Sequence, residues 1–180
     1  DLINLVKDAC RNKLLESQKI EKNQIELLAE QIGVSALKFG DMINYPAKDY
    51  VFDVPKFCSF EGKTGPYMQY SIVRINSILE KAGNFEPCFE IFGDESREVI
   101  INLMKFAKDV VGAYKEFAPN IFVQSAFNLA SSFSSLYNRT KILTETDENK
   151  RNSLLTLIKT VGNSLEIFAN LLAIDIPNKM

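Results

Sequence analysis

The 180-residue sequence contains no histidine and no tryptophan, and it has only 3 cysteines, 6 prolines and 8 glycines. Without histidine, Ser-His-Asp and Cys-His nucleophilic sites, histidine-ligated metals and a histidine general base are excluded. Neither a GxGxxG nor a GxxxxGK[ST] phosphate-binding motif occurs. The carboxylates are scattered among lysines, as on solvated helix faces, so we predict no catalytic residues in this chain.

The cysteines and the charge balance further limit the kinds of protein to which this sequence can belong. Cys10, Cys58 and Cys88 are far apart and form no CxxC pair, which predicts a reducing cytoplasm and no metal site. With 21 basic and 23 acidic residues, the net charge is −2. Any nucleic acid is therefore held by local geometry and stacking, not by a broad positive field. No run of about 18 apolar residues is present, which predicts no membrane span.

Apolar residues recur at helical spacing in the amino-terminal third of the chain. The pattern predicts one helix through about Gln18 and a second that opens on a capping box of Asn23 and Glu26. Gly33 is predicted to end the second helix, and residues 34–43 to form a short third one. Helical periodicity then stops. We expect a short extended segment at 49–53, followed by an aromatic loop from Pro55.

The remaining residues predict longer helices and an all-α fold. Pro66 suits the first turn of a helix, and Gly83 suits the position just after its end. Three helical patterns follow, at about 95–116, 119–139 and 147–173, with Asp147 at the start of the last. Composition agrees with a globular bundle, since 46% of the residues are hydrophobic and 24% are charged.

The predicted helix after Pro66 has two distinct faces. At 100° per residue, its aliphatic residues form a core-facing stripe: Met68, Ile72, Ile75 and Leu79. Tyr67, Tyr70 and Arg74 share a second face, turned away from that stripe. Two phenol rings beside a guanidinium are suited to stacking and hydrogen bonding with unstacked bases. The same spacing is typical of aromatic residues that pack against another helix, and periodicity does not separate the two interpretations.

The literal residues around this helix resemble a known family. Residues 59–74, SFEGKTGPYMQYSIVR, resemble the S-F-E-G-x-T-G-P-Y-x-Q-Y-x-x-x-R signature of arginyl-tRNA synthetases. Residues 32–39 and 51–53 are similar to upstream segments of that family. Leu129-Ala with Phe133 and Tyr137 is similar to a helix near its carboxyl end, and residues 171–180 to its closing segment. The resemblance therefore extends over essentially the whole chain.

This resemblance implies that the chain is part of a class I enzyme that attaches arginine to tRNA(Arg) through an arginyl-adenylate. ATP and Mg are the cofactors implied for the full-length protein, and none for this chain. The His-Ile-Gly-His and Lys-Met-Ser-Lys adenylation motifs are not present, so we expect no charging activity from these residues alone. Residues 1–62 are expected to be the tail of the catalytic region, and 63–180 a DALR-type anticodon-binding domain. The expected form is a cytoplasmic monomer that binds neither DNA nor a membrane.

Five residues are candidates for binding the anticodon arm. Tyr67, Tyr70 and Arg74 lie on the face derived above, whereas Tyr137 and Met180 come from the family pattern alone. The tyrosines are expected to stack with or hydrogen-bond to anticodon-loop bases, Arg74 to hold backbone or a base edge, and Met180 to pack against a base. For Tyr137 a core position beside Phe133 is the alternative, and for Met180 a disordered end.

Three further expectations follow. The family's closing Leu-Gly-Ile reads Leu172-Ala-Ile here, and because alanine takes a left-handed backbone less readily than glycine, we expect a differently shaped terminal turn. The loop at 59–65 is expected to be a structural hinge, with Phe57 and Phe60 in the two flanking cores. The alternative function is that of a helical bundle whose aromatic face binds a partner protein.

Overall fold

The computed structural model describes residues 1–17 and 21–180, which form helices and connecting segments without a β-strand. The all-α prediction is confirmed. The helices are α1 (Leu2–Ser17), α2 (Ile25–Met42), α3 (Val54–Phe57), α4 (Gly65–Ala82), α5 (Gly93–Glu116), α6 (Pro119–Arg139) and α7 (Glu148–Leu171), with a 3₁₀ turn at Ile142–Thr144 before α7. The predicted end of the first helix, Gln18, lies outside the described residues. None of the described helices is long and apolar enough to cross a membrane.

The prediction of a break at Gly33 is wrong, because α2 continues through this residue. A Cβ atom at Gly33 would lie 3.3 Å from the Cα of Lys7, so the glycine allows α1 and α2 to approach closely. The predicted capping box is also wrong. Gln24 is the N-cap and makes no side-chain cap, and Glu26 instead accepts two hydrogen bonds from Arg11, at 2.6 and 2.8 Å.

The segment before α4 also differs in part from the prediction. Residues 49–53 form no strand, and Asp53 caps α3, a short helix with Pro55 in its first turn that the sequence did not predict. Phe57 stacks on Phe52 at 4.4 Å, and Phe60 packs on the core between α1 and α2. Both phenylalanines therefore lie on the amino-terminal side, and the expectation of one in each core is wrong.

The helices from α4 onward begin and end where the sequence predicts. Thr64 caps α4, with Pro66 in the first turn, and Gly83 ends it at a φ of 66°. Asp147 caps α7 by accepting a hydrogen bond from the backbone N–H of Lys150. Met68, Ile72 and Ile75 are fully buried, which confirms the core-facing stripe of α4.

Two apolar clusters hold the fold together. The larger core combines buried residues of five helices: Phe39 of α2; Met68, Ile72, Ile75 and Ile78 of α4; Val99 and Phe106 of α5; Phe122, Leu129, Phe133 and Leu136 of α6; and Leu154, Leu155, Ile158, Val161, Leu165 and Phe168 of α7. The smaller core lies between α1, α2 and the end of α3: Val6, Cys10, Leu14, Ile25, Leu28, Ala29, Ile32, Ala36 and Cys58. Helix α2 contributes to both, so it joins them.

The chain turns sharply after α7. The backbone N–H of Ile174 donates to the carbonyl of Ala169 at 2.8 Å, which is the long-range bond of a Schellman turn. Ala173 takes the left-handed conformation there, with a φ of 49°. The expected change in shape is therefore not observed at this position: alanine adopts the backbone that glycine favours. The turn directs the carboxyl-terminal segment, residues 173–180, back toward α4 and α2.

Candidate functional site

Four of the five predicted binding residues border one groove, which we call the tyrosine groove. It has a volume of about 600 Å³, and among its walls are Tyr70, Arg74, Tyr137 and Met180. These side chains come from α4, from the last turns of α6 and from the chain end. Residues as far apart in the sequence as Tyr70 and Met180 therefore meet on one surface, which only the tertiary structure establishes.

Arg74 lies between the two tyrosines of the groove. Its guanidinium carbon is 4.5 Å from the ring centre of Tyr70 and 4.9 Å from that of Tyr137. The guanidinium also hydrogen-bonds to the hydroxyl of Tyr70. Contacts of this kind with partly exposed rings are each worth about 0.5–1 kcal/mol. These contacts hold Tyr70, Arg74 and Tyr137 together at the groove.

Tyr137 is partly solvent-exposed at the end of α6. Its ring lies 6.1 Å from that of Phe133, which belongs to the larger core. The sequence left open whether Tyr137 binds RNA or packs beside Phe133 in the core. The structure shows the contact with Phe133 and also leaves an edge of the ring exposed. A ring anchored on one side and free on the other is suited to contact with a base.

Tyr67 does not reach the tyrosine groove. Its ring packs against Phe127 at a distance of 5.6 Å, and its hydroxyl donates a long hydrogen bond of 3.5 Å to the carbonyl of Ala130. On α4, Tyr67 contacts Ala130 of α6. Seven residues later on both helices, Arg74 contacts Tyr137. Helices α4 and α6 therefore run side by side in the same direction. This arrangement matches the packing alternative for Tyr67. A role in RNA binding stays a prediction.

Met180 is held against the protein and not free at the chain end. Its side chain packs on the smaller core and also borders the tyrosine groove. The groove's remaining walls include further polar residues that the sequence did not single out: Asn76, Ser77, Glu80, Lys81, Asn178 and Lys179. Lys81 and Lys179 add two cations to Arg74, against the one carboxylate of Glu80. The local surface is therefore basic although the chain as a whole is slightly acidic.

Leu143 also lines the groove, from the 3₁₀ turn that precedes α7. No sequence signal marked this residue, because a three-residue turn has no periodicity. Lys179 precedes Met180 in the closing segment. Its positive charge is visible in the sequence, but helical spacing does not indicate that it lies beside the groove. These residues were missed since they lie outside the long helices.

The loop between α3 and α4 supports α4 from its amino end. The hydroxyl of Thr64 donates to the carbonyl of Ser59 at 2.5 Å and accepts from the backbone N–H of Tyr67 at 3.2 Å. A Cβ atom at Gly65 would lie 2.2 Å from the carbonyl oxygen of Ser35, so this glycine permits direct contact between α4 and α2. These contacts fix the start of the helix that carries Tyr70 and Arg74. Whether the loop is also a hinge stays a prediction.

Comparison with known proteins gives a consistent result. Residues 68–180 match the family described as the DALR anticodon binding domain. An arginine–tRNA ligase of Alkaliphilus oremlandii is 40% identical over 185 residues, covering 100% of this chain and 32% of that protein. An arginine–tRNA ligase of Streptococcus suis is 37% identical over 169 residues, covering 92% of this chain and 30% of that protein.

A solved structure agrees with this result at the level of the fold. The arginyl-tRNA synthetase of Thermus thermophilus superimposes with a TM-score of 0.91 at 28% identity, covering 99% of this chain and 32% of that protein. The chain thus spans about a third of the length of the relatives that it matches.

Proposed function

The chain belongs to the arginyl-tRNA synthetase family and carries its DALR anticodon-binding domain, and from this membership we propose that the tyrosine groove receives the anticodon loop of an arginine tRNA. The observation that supports the proposal most directly is the convergence of Tyr70, Arg74, Tyr137 and Met180 on one groove. Single-stranded loops are recognised by stacking on aromatic side chains together with hydrogen bonds to base edges. The groove provides both, beside cations for the phosphates.

The roles of the four residues follow from their positions. Tyr70 and Tyr137 both line the groove, so each is suited to stack on a base or to hydrogen-bond with it. Arg74 has donors beyond its contact with Tyr70, which suit a phosphate or a base edge. Met180 closes the groove with a flexible apolar surface against which a base can pack.

We propose further that, within a protein of its relatives' full length, this chain serves an enzyme that esterifies arginine to tRNA(Arg). ATP and Mg would be used by the catalytic part of that enzyme, with arginyl-adenylate as the intermediate, and no cofactor by the residues of this chain. We also propose that the protein acts as a cytoplasmic monomer and binds neither DNA nor a membrane. The relatives are arginine–tRNA ligases, which supports the reaction, and this chain spans about a third of their length.

The test is a fluorescence-anisotropy titration of the 180-residue chain with a labelled arginine anticodon stem-loop. Tyr70→Ala is expected to weaken binding by about 1–3 kcal/mol, the usual contribution of a base–aromatic stack, with little change in the melting temperature. Tyr114→Ala is the matched control, because Tyr114 is 81% exposed on α5 and lies outside the groove. It is expected to bind like the wild type.

A second stem-loop, altered at the anticodon, measures specificity. Preference of the wild type for the authentic loop, abolished by Tyr70→Ala alone, supports the proposal. Equal binding of the two loops would contradict it. A melting temperature several degrees lower in Tyr70→Ala would show that this ring is a packing residue, as Tyr67 is.

A further inference from the structure

Gln69 is a fully buried polar residue that joins three parts of the fold. It lies on α4 between Met68 of the core and Tyr70 of the groove, with an exposed fraction of 0%. Its side-chain amide nitrogen donates to the carbonyl of Asp175 at 2.7 Å and to that of Gln31 at 3.2 Å. One side chain therefore links α4, α2 and the carboxyl-terminal segment.

The second half of the Gln69 amide has no partner. Its oxygen is buried and accepts no hydrogen bond from any described residue. Leaving a buried acceptor unpaired destabilises the fold, and this cost offsets the benefit of the two bonds that the nitrogen donates. An apolar side chain of similar size would avoid that cost. The amide is therefore better explained by what it holds in place than by a contribution to stability.

The segment that Gln69 holds is the one that ends in the groove. Two contacts fix its start and its middle: the ammonium of Lys38 donates to the carbonyl of Ala173 at 2.5 Å, and Gln69 binds Asp175 two residues later. Beyond Asp175, the segment passes over α2 and brings Lys179 and Met180 to the wall of the groove. Among the described residues, Gln69 is the last hydrogen-bond anchor before Met180.

We infer that Gln69 is a positioning residue for RNA recognition: it fixes the carboxyl-terminal segment so that Met180 closes the tyrosine groove. The inference rests on the proposed function for the RNA, but the positioning itself depends only on the contacts above. Gln69 is buried and is not among the residues that line the groove. It acts through Asp175 on Lys179 and Met180, while its neighbour Tyr70 on the same turn of α4 lines the groove directly.

The first experiment measures the position of Met180 without RNA. Dilute hydrogen peroxide converts an accessible methionine to its sulfoxide with release of water, and peptide mass spectrometry reads the rate at each position. Met104, which is exposed on α5, and Met68, which is buried, are internal references for fast and slow oxidation. In Gln69→Leu, Met180 is expected to oxidise at least about 2-fold faster, in keeping with loss of one hydrogen bond, while both references keep their rates.

An unchanged rate at Met180 in Gln69→Leu would overturn the inference. Loss of the fold in this variant would overturn it as well, because Gln69 would then be an ordinary core residue. Lys38→Leu, which removes the other anchor of the segment, is expected to increase the oxidation of Met180 in the same way. Gln124→Leu is the matched glutamine control, since Gln124 on α6 bonds to Lys63 and Asn128 and does not line the groove.

The second experiment asks whether Gln69 acts on RNA through Met180. Gln69→Leu and Met180→Ala are each expected to weaken binding of the authentic stem-loop, the first by about 2–13-fold, as expected for one hydrogen bond. The affinity of the double variant is expected to be at most about 2-fold below that of the single variant with the lower affinity, because both changes remove the same wall of the tyrosine groove.

Losses that multiply in the double variant would overturn the inference, since Gln69 would then act independently of Met180. If the wild type does not prefer the authentic loop, the proposed function fails, and the oxidation rates still decide the positioning of Met180. The two failures are therefore distinguishable.

Discussion

The larger and the smaller core are built in different ways. The larger core draws on five helices and stacks aromatic rings across them, with Phe168 between Phe39 and Phe122 at 6.3 and 5.5 Å. The smaller core lies inside a hairpin of two helices, and ion pairs join the hairpin's outer edge: Arg11 with Glu26, and Lys7 with Glu30. One region is stabilised mainly by burial, while the other combines limited burial with surface charge.

The hairpin also leaves apolar side chains uncovered. Five aliphatic residues of α1 and α2 are exposed: Leu2, Ile3, Leu5, Leu15 and Leu27. A helix that is apolar on two faces normally has a partner on each. This distribution is what the expected packing of residues 1–62 on a catalytic region would require, and the domain boundary itself stays a prediction. The tyrosine groove is linked to the smaller core through Met180, which borders the groove and packs on that core.

The largest effect is expected in the aromatic cluster of the larger core. Phe168→Ala should lower the free energy of unfolding by about 3–5 kcal/mol, because a fully buried ring is replaced by a cavity. Phe89→Ala, at an 85% exposed ring, is the control and should change it by less than about 0.5 kcal/mol. Urea denaturation measures both. Similar losses in the two variants would show that burial does not dominate this region.

A smaller effect is expected where the two regions join. Gly65→Ala should lower the free energy of unfolding by about 1–3 kcal/mol, because the new methyl group would overlap the backbone of Ser35 and push α4 from α2. Gly112→Ala is the control, and its expected effect on the free energy of unfolding has the opposite sign. It lies within α5 with open space around it and should stabilise the protein by about 0.5–1 kcal/mol. A neutral Gly65→Ala would mean that the two regions are not in close contact.

The smallest effect is expected at the surface of the hairpin, and it depends on pH. The hydrogen bond from Arg11 lowers the pKa of Glu26 below its ordinary value of 4.5. A lowered pKa in the folded state contributes stability that is fully present above pH 4.5 and is lost as the pH falls through the folded value. The wild type is therefore expected to exceed Glu26→Gln in stability at pH 7, and this difference should shrink below pH 4.5.

Urea midpoints at pH 7, 4 and 3 measure the difference. Glu98→Gln, on the exposed surface of α5, controls for the general effect of removing a carboxylate. Because both partners of the Arg11–Glu26 pair are solvent-accessible, the gain is small and should decrease with added salt. A difference independent of pH would contradict this account.

The agreement between sequence and structure follows the strength of the local signals. Helices α4, α6 and α7 have side-chain caps or terminal prolines with a direct physical effect, and these three helices and α5 were predicted within about two residues. Among the helices, the failures were at Gly33, interpreted as a helix end, and at residues 54–57, interpreted as a loop. Gly33 permits a close approach to Lys7, a contact that comes from elsewhere in the chain. Residues 54–57 are too few for a detectable helical period.

The helical class, the family and the face of α4 on which Tyr70 and Arg74 lie follow from the amino-acid sequence alone, because these depend on local spacing and on literal motif residues. Long-range packing is what places Tyr67 against α6 and Tyr70 beside a groove, and what allows a buried glutamine to hold the chain end next to it. Nearby positions on one helix differ in exposure, because an adjacent helix covers one and not the other. That covering is set by long-range packing, which a single helical period does not encode.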